Sequence, residues 1–164
     1  MIRSAGGIKR FHTVPTIGVQ TVAEHSYHVA MLCIELSSGK PSTNLLKAAL
    51  YHDLAELVTG DIPAPVKWAN PNLKNELENI EEVFEKENCI DISLTPNERS
   101  ILRHADAFEC AFYAVDQIML GNKNMIQVYK NITTHIGSMK VLDNPTPYDI
   151  IINNLIESYV NATK

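Results

Sequence analysis

The 164-residue chain has a formal net charge of -5, with 45% hydrophobic and 20% charged residues, the balance of one ordinary globular domain. An acidic chain without a basic stripe is not built to neutralise a phosphate backbone, so nucleic acid is not an expected partner; a small phosphorylated molecule needs only a few local cations. No apolar run reaches the roughly 20 residues that span a bilayer. Residues 1–9 lack the apolar core of a signal peptide, and Cys33, Cys89 and Cys110 show no C-x-x-C spacing, which suits a reducing compartment. These features predict a single cytoplasmic domain over residues 1–164 that does not enter a membrane.

Residues 1–21, with Gly6-Gly7, Pro15 and Gly18, are expected to be irregular. Within them Arg10-Phe11-His12 sets a cation beside an aromatic ring. Thr21 and Glu24 have the spacing of a capping box, and Val22, His25, Val29, Leu32, Cys33 and Leu36 keep helical spacing to about Ser37. Gly39-Lys40-Pro41 breaks the chain before a second helix, capped by Ser42 or Thr43 and carrying His52, Asp53 and Glu56 near its end. Gly60, Pro63 and Pro65 predict a loop over 59–69. A helix over 72–88 follows, with Leu73, Leu77, Ile80, Val83 and Phe84 on one side and a solvated acidic face on the other. Thr95, Pro96 and Glu98 open a long helix to about residue 120. Shorter helices are expected over 123–136 and 147–161. No useful period-2 pattern is present, so the expected fold is all-α, a bundle of about six helices.

The chemistry concentrates at Tyr51-His52-Asp53-Leu54-Ala55-Glu56, followed by Gly60-Asp61. An ionised carboxylate inside an apolar run needs a partner, and a metal ion is one. On a helix Glu56 shares a face with Asp53. His25 lies on an apolar stripe, where a lone histidine is more often an ordinary core residue. Asp106 sits between Ala105 and Ala107 in the long helix. Two imidazoles and two carboxylates make a mixed N/O set suited to a borderline divalent ion such as Zn, Mn, Fe or Co, although spacing alone does not bring the helices together.

The ordered set Val22-Ala23-Glu24-His25-Ser26, His52-Asp53-Leu54-Ala55-Glu56, Thr59-Gly60-Asp61-Ile62-Pro63 and Ala105-Asp106-Ala107 resembles the HD-domain metal-dependent phosphohydrolases, in their bacterial 5′-deoxynucleotidase branch. The resemblance implies a helical HD domain in which His25, His52, Asp53 and Asp106 hold a divalent metal (Zn, Co or Mn), with additional Mg or Mn possible through Glu56 or the substrate phosphates. It implies a catalytic carboxyl at Glu56 near the attacking water or the leaving group, and a water-orienting carboxylate at Asp61. It places Arg10 on the substrate phosphate. Phe11 stands where the family often has tryptophan packing near the nucleoside, a departure that bears on base and sugar preference. Lys67 is a second candidate phosphate contact and Pro65 a candidate wall of the nucleoside pocket. The implied partner is a small deoxynucleotide, and relatives imply a homo-oligomer.

Two activities fit this resemblance. One releases phosphate from deoxynucleoside monophosphates. The other, similar to compact phage dATP triphosphohydrolases, yields deoxyadenosine and triphosphate; the short chain and the Gly6-Gly7-Ile8-Lys9-Arg10-Phe11-His12-Thr13 lead-in favour it, and a phage-encoded chain would work in the host cytoplasm. A non-catalytic nucleotide sensor is the reading from another class, disfavoured because Glu56 and Asp61 are both present.

Overall fold

The computed structural model describes residues 2–139. Among them are a 3-10 helix (Ile2–Gly7) and seven α-helices: α1 (Val22–Leu36), α2 (Thr43–Tyr51), α3 (Glu56–Thr59), α4 (Ala64–Ala69), α5 (Pro71–Glu87), α6 (Pro96–Met119) and α7 (Met125–Ser138). No strand is assigned among the described residues, and none of their helices is long and apolar enough to cross a membrane. The all-α expectation holds. The helix expected over 147–161 lies outside the described residues.

Caps set the boundaries as the sequence predicts. Thr21 caps α1 by accepting from the Glu24 N–H, and Ser42 caps α2 by accepting from Leu45. Thr95 and Glu98 form a complete capping box on α6, with Pro96 in the first turn where its missing N–H costs nothing. The apolar stripes then meet. Val29, Leu32, Cys33 and Leu36 of α1, Leu45 and Ala49 of α2, and Ile101, Ala105 and Phe108 of α6 form the main core. α7 lies against the C-terminal half of α6 through Ala114, Ile118, Met125 and Tyr129.

Three local expectations are corrected. The lead-in is not wholly irregular: its 3-10 helix packs Ala5 with Leu54, Ala55 and Phe84, and Lys9 bridges Thr21. Gly6 permits this seat, because a Cβ there would stand 3.1 Å from the Ala23 Cβ. The 59–69 segment contains α4, which begins just after Pro63. The helix carrying His52 stops at Tyr51. From there Leu54 donates to Tyr51, Glu56 to Asp53, Leu57 to Leu54 and Val58 to Ala55. Such i to i+3 bonds wind the chain at three residues per turn, so Asp53 and Glu56 come to lie one above the other.

Phe108 is fully buried where α1, α2 and α6 meet. Phe108→Ala should cost ~3–5 kcal/mol of unfolding free energy, read as a lower denaturant midpoint at unchanged slope.

Candidate metal centre and substrate groove

Three elements deliver the centre: α1 brings His25, the tight turn after α2 brings His52 and Asp53, and α6 brings Asp106. His25, His52 and Asp106 offer ligand atoms all within 4.8 Å of one another. The two imidazole Nε2 atoms are 3.2 Å apart. Asp106 Oδ1 is 3.2 Å from the His25 Nε2, and Asp53 Oδ2 is 3.4 Å from both histidines. All four residues singled out in the sequence therefore meet at one point.

The hydrogen bonds around the rings test whether this set fits a cation. His52 Nδ1 is 2.9 Å from the Ala49 carbonyl, which only accepts, so that nitrogen carries the proton. His25 Nδ1 meets the Glu109 carboxylate, which likewise accepts. Both Nε2 atoms are then bare lone pairs facing each other and two carboxylates, an arrangement that only a cation can hold together. A divalent ion suits such a mixed imidazole–carboxylate set. Without a metal a proton does the same work: burial opposes charge on His25, yet its hydrogen bonds to Asp106 and Glu109 carry it up to about 9. Desolvation also opposes charge on Asp53 and Asp106. The imidazoles and Arg10 more than offset it and hold both carboxyls below the ordinary carboxylate range.

Glu109 and Gln20 are the residues that the sequence reading missed. Glu109 is almost wholly buried, accepts from Gln20 Nε2 at 2.7 Å through its other oxygen, and lies 3.6 Å from His28 Nδ1. A carboxylate on the far nitrogen fixes the tautomer and direction of a ligating imidazole. The available signal was its position three residues after Asp106, a second acid among Phe108, Cys110 and Phe112.

A groove of about 1370 Å³ opens over this centre. Arg10, Phe11, Pro65, Lys67, Glu56 and Asp61 all line it, as do Asp53 and Asp106. Arg10 donates from Nη1 to Asp53 Oδ2 at 2.9 Å, while its buried Nε has no partner. Glu56 also has a buried oxygen without a partner. Burial first, then repulsion from Asp53 and Asp61, pushes its carboxyl up to about 8, so it holds a proton near neutrality. Asp61 Oδ2 accepts from the Phe11 N–H at 3.2 Å. Trp68 stacks on His135 at 4.4 Å and closes the wall between α4 and α7. His104 is buried and hydrogen-bonded to the Ser100 carbonyl.

A helical bundle that brings a histidine, a His-Asp pair and a distant aspartate to one point beneath such a groove defines an HD-domain phosphohydrolase, a hydrolytic enzyme that takes a divalent metal. The chain belongs to the YfbR-like 5′-deoxynucleotidase family, which matches residues 1–155. It is 26% identical to a 5′-deoxynucleotidase of Vibrio cholerae, with 76% of each chain covered, and 25% identical to one of Yersinia pestis, with 73% of each covered. Among solved structures it is similar to the HD phosphohydrolase DatZ of cyanophage S-2L, bound to dA and one catalytic Zn2+ ion (TM-score 0.64, 26% identity, 85% of this chain and 84% of that one). It is also similar to an HD-domain phosphohydrolase of Listeria innocua (TM-score 0.64, 25% identity, 82% and 76% covered).

Two measurements follow from the centre. His52→Ala and Asp106→Ala should each abolish stoichiometric metal by elemental analysis, and Glu109→Gln should weaken metal affinity by roughly 10–100-fold in a chelator competition. Because the metal-free His25 is held protonated up to about 9, apparent metal affinity should climb with pH until about that value and then flatten.

Stability carries the opposite sign in the metal-free protein. Glu56 titrates near 8 when folded, against about 4.3 in an unstructured chain. The stability tied to its neutral form is complete below the unfolded value and is lost as pH rises through about 8. Glu56→Gln should therefore raise the metal-free Tm at alkaline pH and leave it nearly unchanged in acid, as read by calorimetry.

Proposed function

We propose that this phosphohydrolase cleaves deoxynucleotides at the α-phosphorus, converting dATP to deoxyadenosine and triphosphate. His25, His52, Asp53 and Asp106 hold the metal, with Zn, Co or Mn as the candidate ions. When bound, that ion supplies an acidified water and polarises a phosphoryl oxygen. Arg10, which lines the groove beside Asp53, neutralises phosphate charge. Lys67, which also lines the groove, adds a second cation. Glu56, neutral near pH 7, donates its proton to the departing 5′ oxygen. Asp61 orients the attacking water through the oxygen not engaged by Phe11. Phe11 and Pro65 hold the nucleoside by apolar contact.

The observation that favours a triphosphate is the course of the groove along α6. Asp106 lies midway on a face that continues through Arg103 to Arg99, both exposed and lining the same groove; Lys74 of α5 also lines it but is paired with Glu78. Neither arginine has an ion pair among the described residues. At about 1.5 Å per residue, Arg103 and Arg99 stand ~4.5 and ~10.5 Å from Asp106 along the axis. A monophosphate would leave both without an anion. The similarity to a phage phosphohydrolase that binds dA supports the adenine preference. The second reading, release of phosphate from deoxynucleoside monophosphates, is favoured by the 5′-deoxynucleotidase activity of the bacterial relatives.

Phosphorus NMR of the products separates the two. Intact triphosphate from dATP is the expected outcome; phosphate from dAMP with dATP untouched would leave the monophosphatase. Glu56→Ala should lower kcat by ~10²–10⁴-fold with metal retained. Lys67→Ala and Arg103→Ala should each raise KM for dATP by about tenfold or more and change KM for dAMP less, since a hydrogen bond to a charged group contributes ~1.5–3 kcal/mol.

A further inference from the structure

Residues 8–21 form a strap that gives Arg10, Phe11, Thr13 and Val14 to the groove wall and is tied at both ends. At one end Lys9 bridges Thr21, the Arg10 N–H bonds to the Gln20 carbonyl, and Gln20 bonds to buried Glu109. At the far end Gln117 of α6 both donates to and accepts from the Ile17 backbone, and Asn122 donates to the Pro15 carbonyl. Between these pins lies the Arg10-Phe11 turn, the part nearest the metal centre. Phe11 is held there at φ 55, the left-handed region that a bulky residue rarely adopts and that needs an outside restraint. Its ring stacks on Tyr113 at 4.9 Å, which fixes the ring but not the peptide plane. Two bonds restrain its backbone: the Val14 N–H donates to the Phe11 carbonyl at 3.1 Å, within the strap itself, and the Phe11 N–H donates to Asp61 Oδ2, the tie to another element that fixes the Arg10-Phe11 peptide.

Asp61 is itself placed by the end of α3. Gly60 takes φ 70 and returns its N–H to Glu56, which sends the chain out of the helix toward the strap. Asp61 is 13% exposed, and His12 Nδ1 lies 3.7 Å from the same oxygen.

We infer that Asp61 is a positioning residue for the substrate phosphate: its carboxylate pins the strained Phe11 peptide and so aims the Arg10 guanidinium into the groove. The inference rests on the reading that Arg10 receives phosphate, and adds a duty to the water-orienting one. Released from Asp61, Phe11 relaxes to a negative φ and the preceding residue turns with it, away from Asp53 and the ligand.

The sign of one substitution separates this from a purely electrostatic or water-orienting role. Removing a negative charge beside an anion site should tighten anion binding. Loss of the pin should weaken it.

The test is titration calorimetry of inorganic phosphate into the metal-loaded protein, for wild type, Arg10→Ala, Asp61→Ala, Asp61→Asn and the Arg10→Ala/Asp61→Ala double variant. The expected result is phosphate affinity reduced about tenfold in Asp61→Ala and equal to or tighter than wild type in Asp61→Asn, which keeps an acceptor oxygen for the Phe11 N–H. The double variant should be no weaker than Arg10→Ala, because one residue acts through the other. Unchanged or tighter phosphate binding in Asp61→Ala, or additive losses in the double variant, would overturn the inference. Amide exchange at Phe11 reads the pin without any ligand: faster in Asp61→Ala, slow in Asp61→Asn. If Arg10→Ala leaves phosphate binding unchanged, the Arg10 role in the proposed function fails, and the exchange comparison still decides the pin.

Discussion

Two imidazole nitrogens 3.2 Å apart, each with its proton committed elsewhere, are the constraint on which the rest depends. Lone pairs converging with two carboxylates repel unless a cation lies among them, and burial makes that repulsion stronger. The fold must therefore keep the donors converged while the cation among them changes from the proton on His25 to a metal ion. It does so outside the ligand set. Glu109 grips His25, Gln20 grips Glu109, and Ala49 of α2 anchors His52 in the turn that follows that helix. The lead-in strap, α1 and α6 are tied through one buried carboxylate, so the centre is rigid only when the whole N-terminal layer is seated.

The same crowding sorts the carboxyl groups into different chemistries. Asp53 and Asp106 face imidazoles and Arg10 and stay ionised. Glu56 is stacked over Asp53 by the three-residue winding of the turn, faces Asp61 as well, and keeps its proton. Neighbouring acids pushed in opposite directions by their surroundings are how one site provides ligands and a proton donor at the same pH. A regular α-helix through residues 52–56 would not eclipse the two side chains so closely. The break after Tyr51 is part of the chemistry, not a defect of the helix.

Much of this was legible because it is local. The cap at Thr95, the stripe from Val22 to Leu36 and the break at Gly39-Lys40-Pro41 are written in neighbouring residues. The order of His25, His52-Asp53 and Asp106 was legible as a resemblance, and the structure brings those residues together. What stayed hidden depends on contacts between distant segments. The 3-10 helix exists because Ala5 has Leu54 and Phe84 to pack against. The bond between Phe11 and Asp61 joins positions 50 residues apart. Glu109 could be seen as an odd acid in an apolar stretch, but its partner Gln20 carries no sequence mark at all. The helix α4 was obscured by Pro63 and Pro65, which suit a helix start as well as a loop.

In the proposed function, the length of the substrate's phosphate tail is read along α6. Cys110, Asp106, Arg103 and Arg99 succeed one another at intervals of three or four residues, so they form a single row along the groove. Toward Cys110 the walls are apolar, with Phe11, Val14, Val128 and Ile132; toward Arg99 the α6 row is cationic, while Glu78 and Glu81 of α5 line the same groove and Glu78 pairs with Lys74. The catalytic donors sit where one character changes to the other. A nucleotide has the same polarity, apolar base at one end and charged tail at the other, with the scissile bond between them. Its α-phosphorus can reach the metal centre in only one direction without burying the base among arginines or the phosphates among aliphatic side chains. Under the proposed function orientation is thus set before any base is read, and tail length is a matter of how many cations beyond Asp106 the ligand can reach. A change from monophosphate to triphosphate use then requires no new chemistry at the metal, only charge on the next two turns of α6.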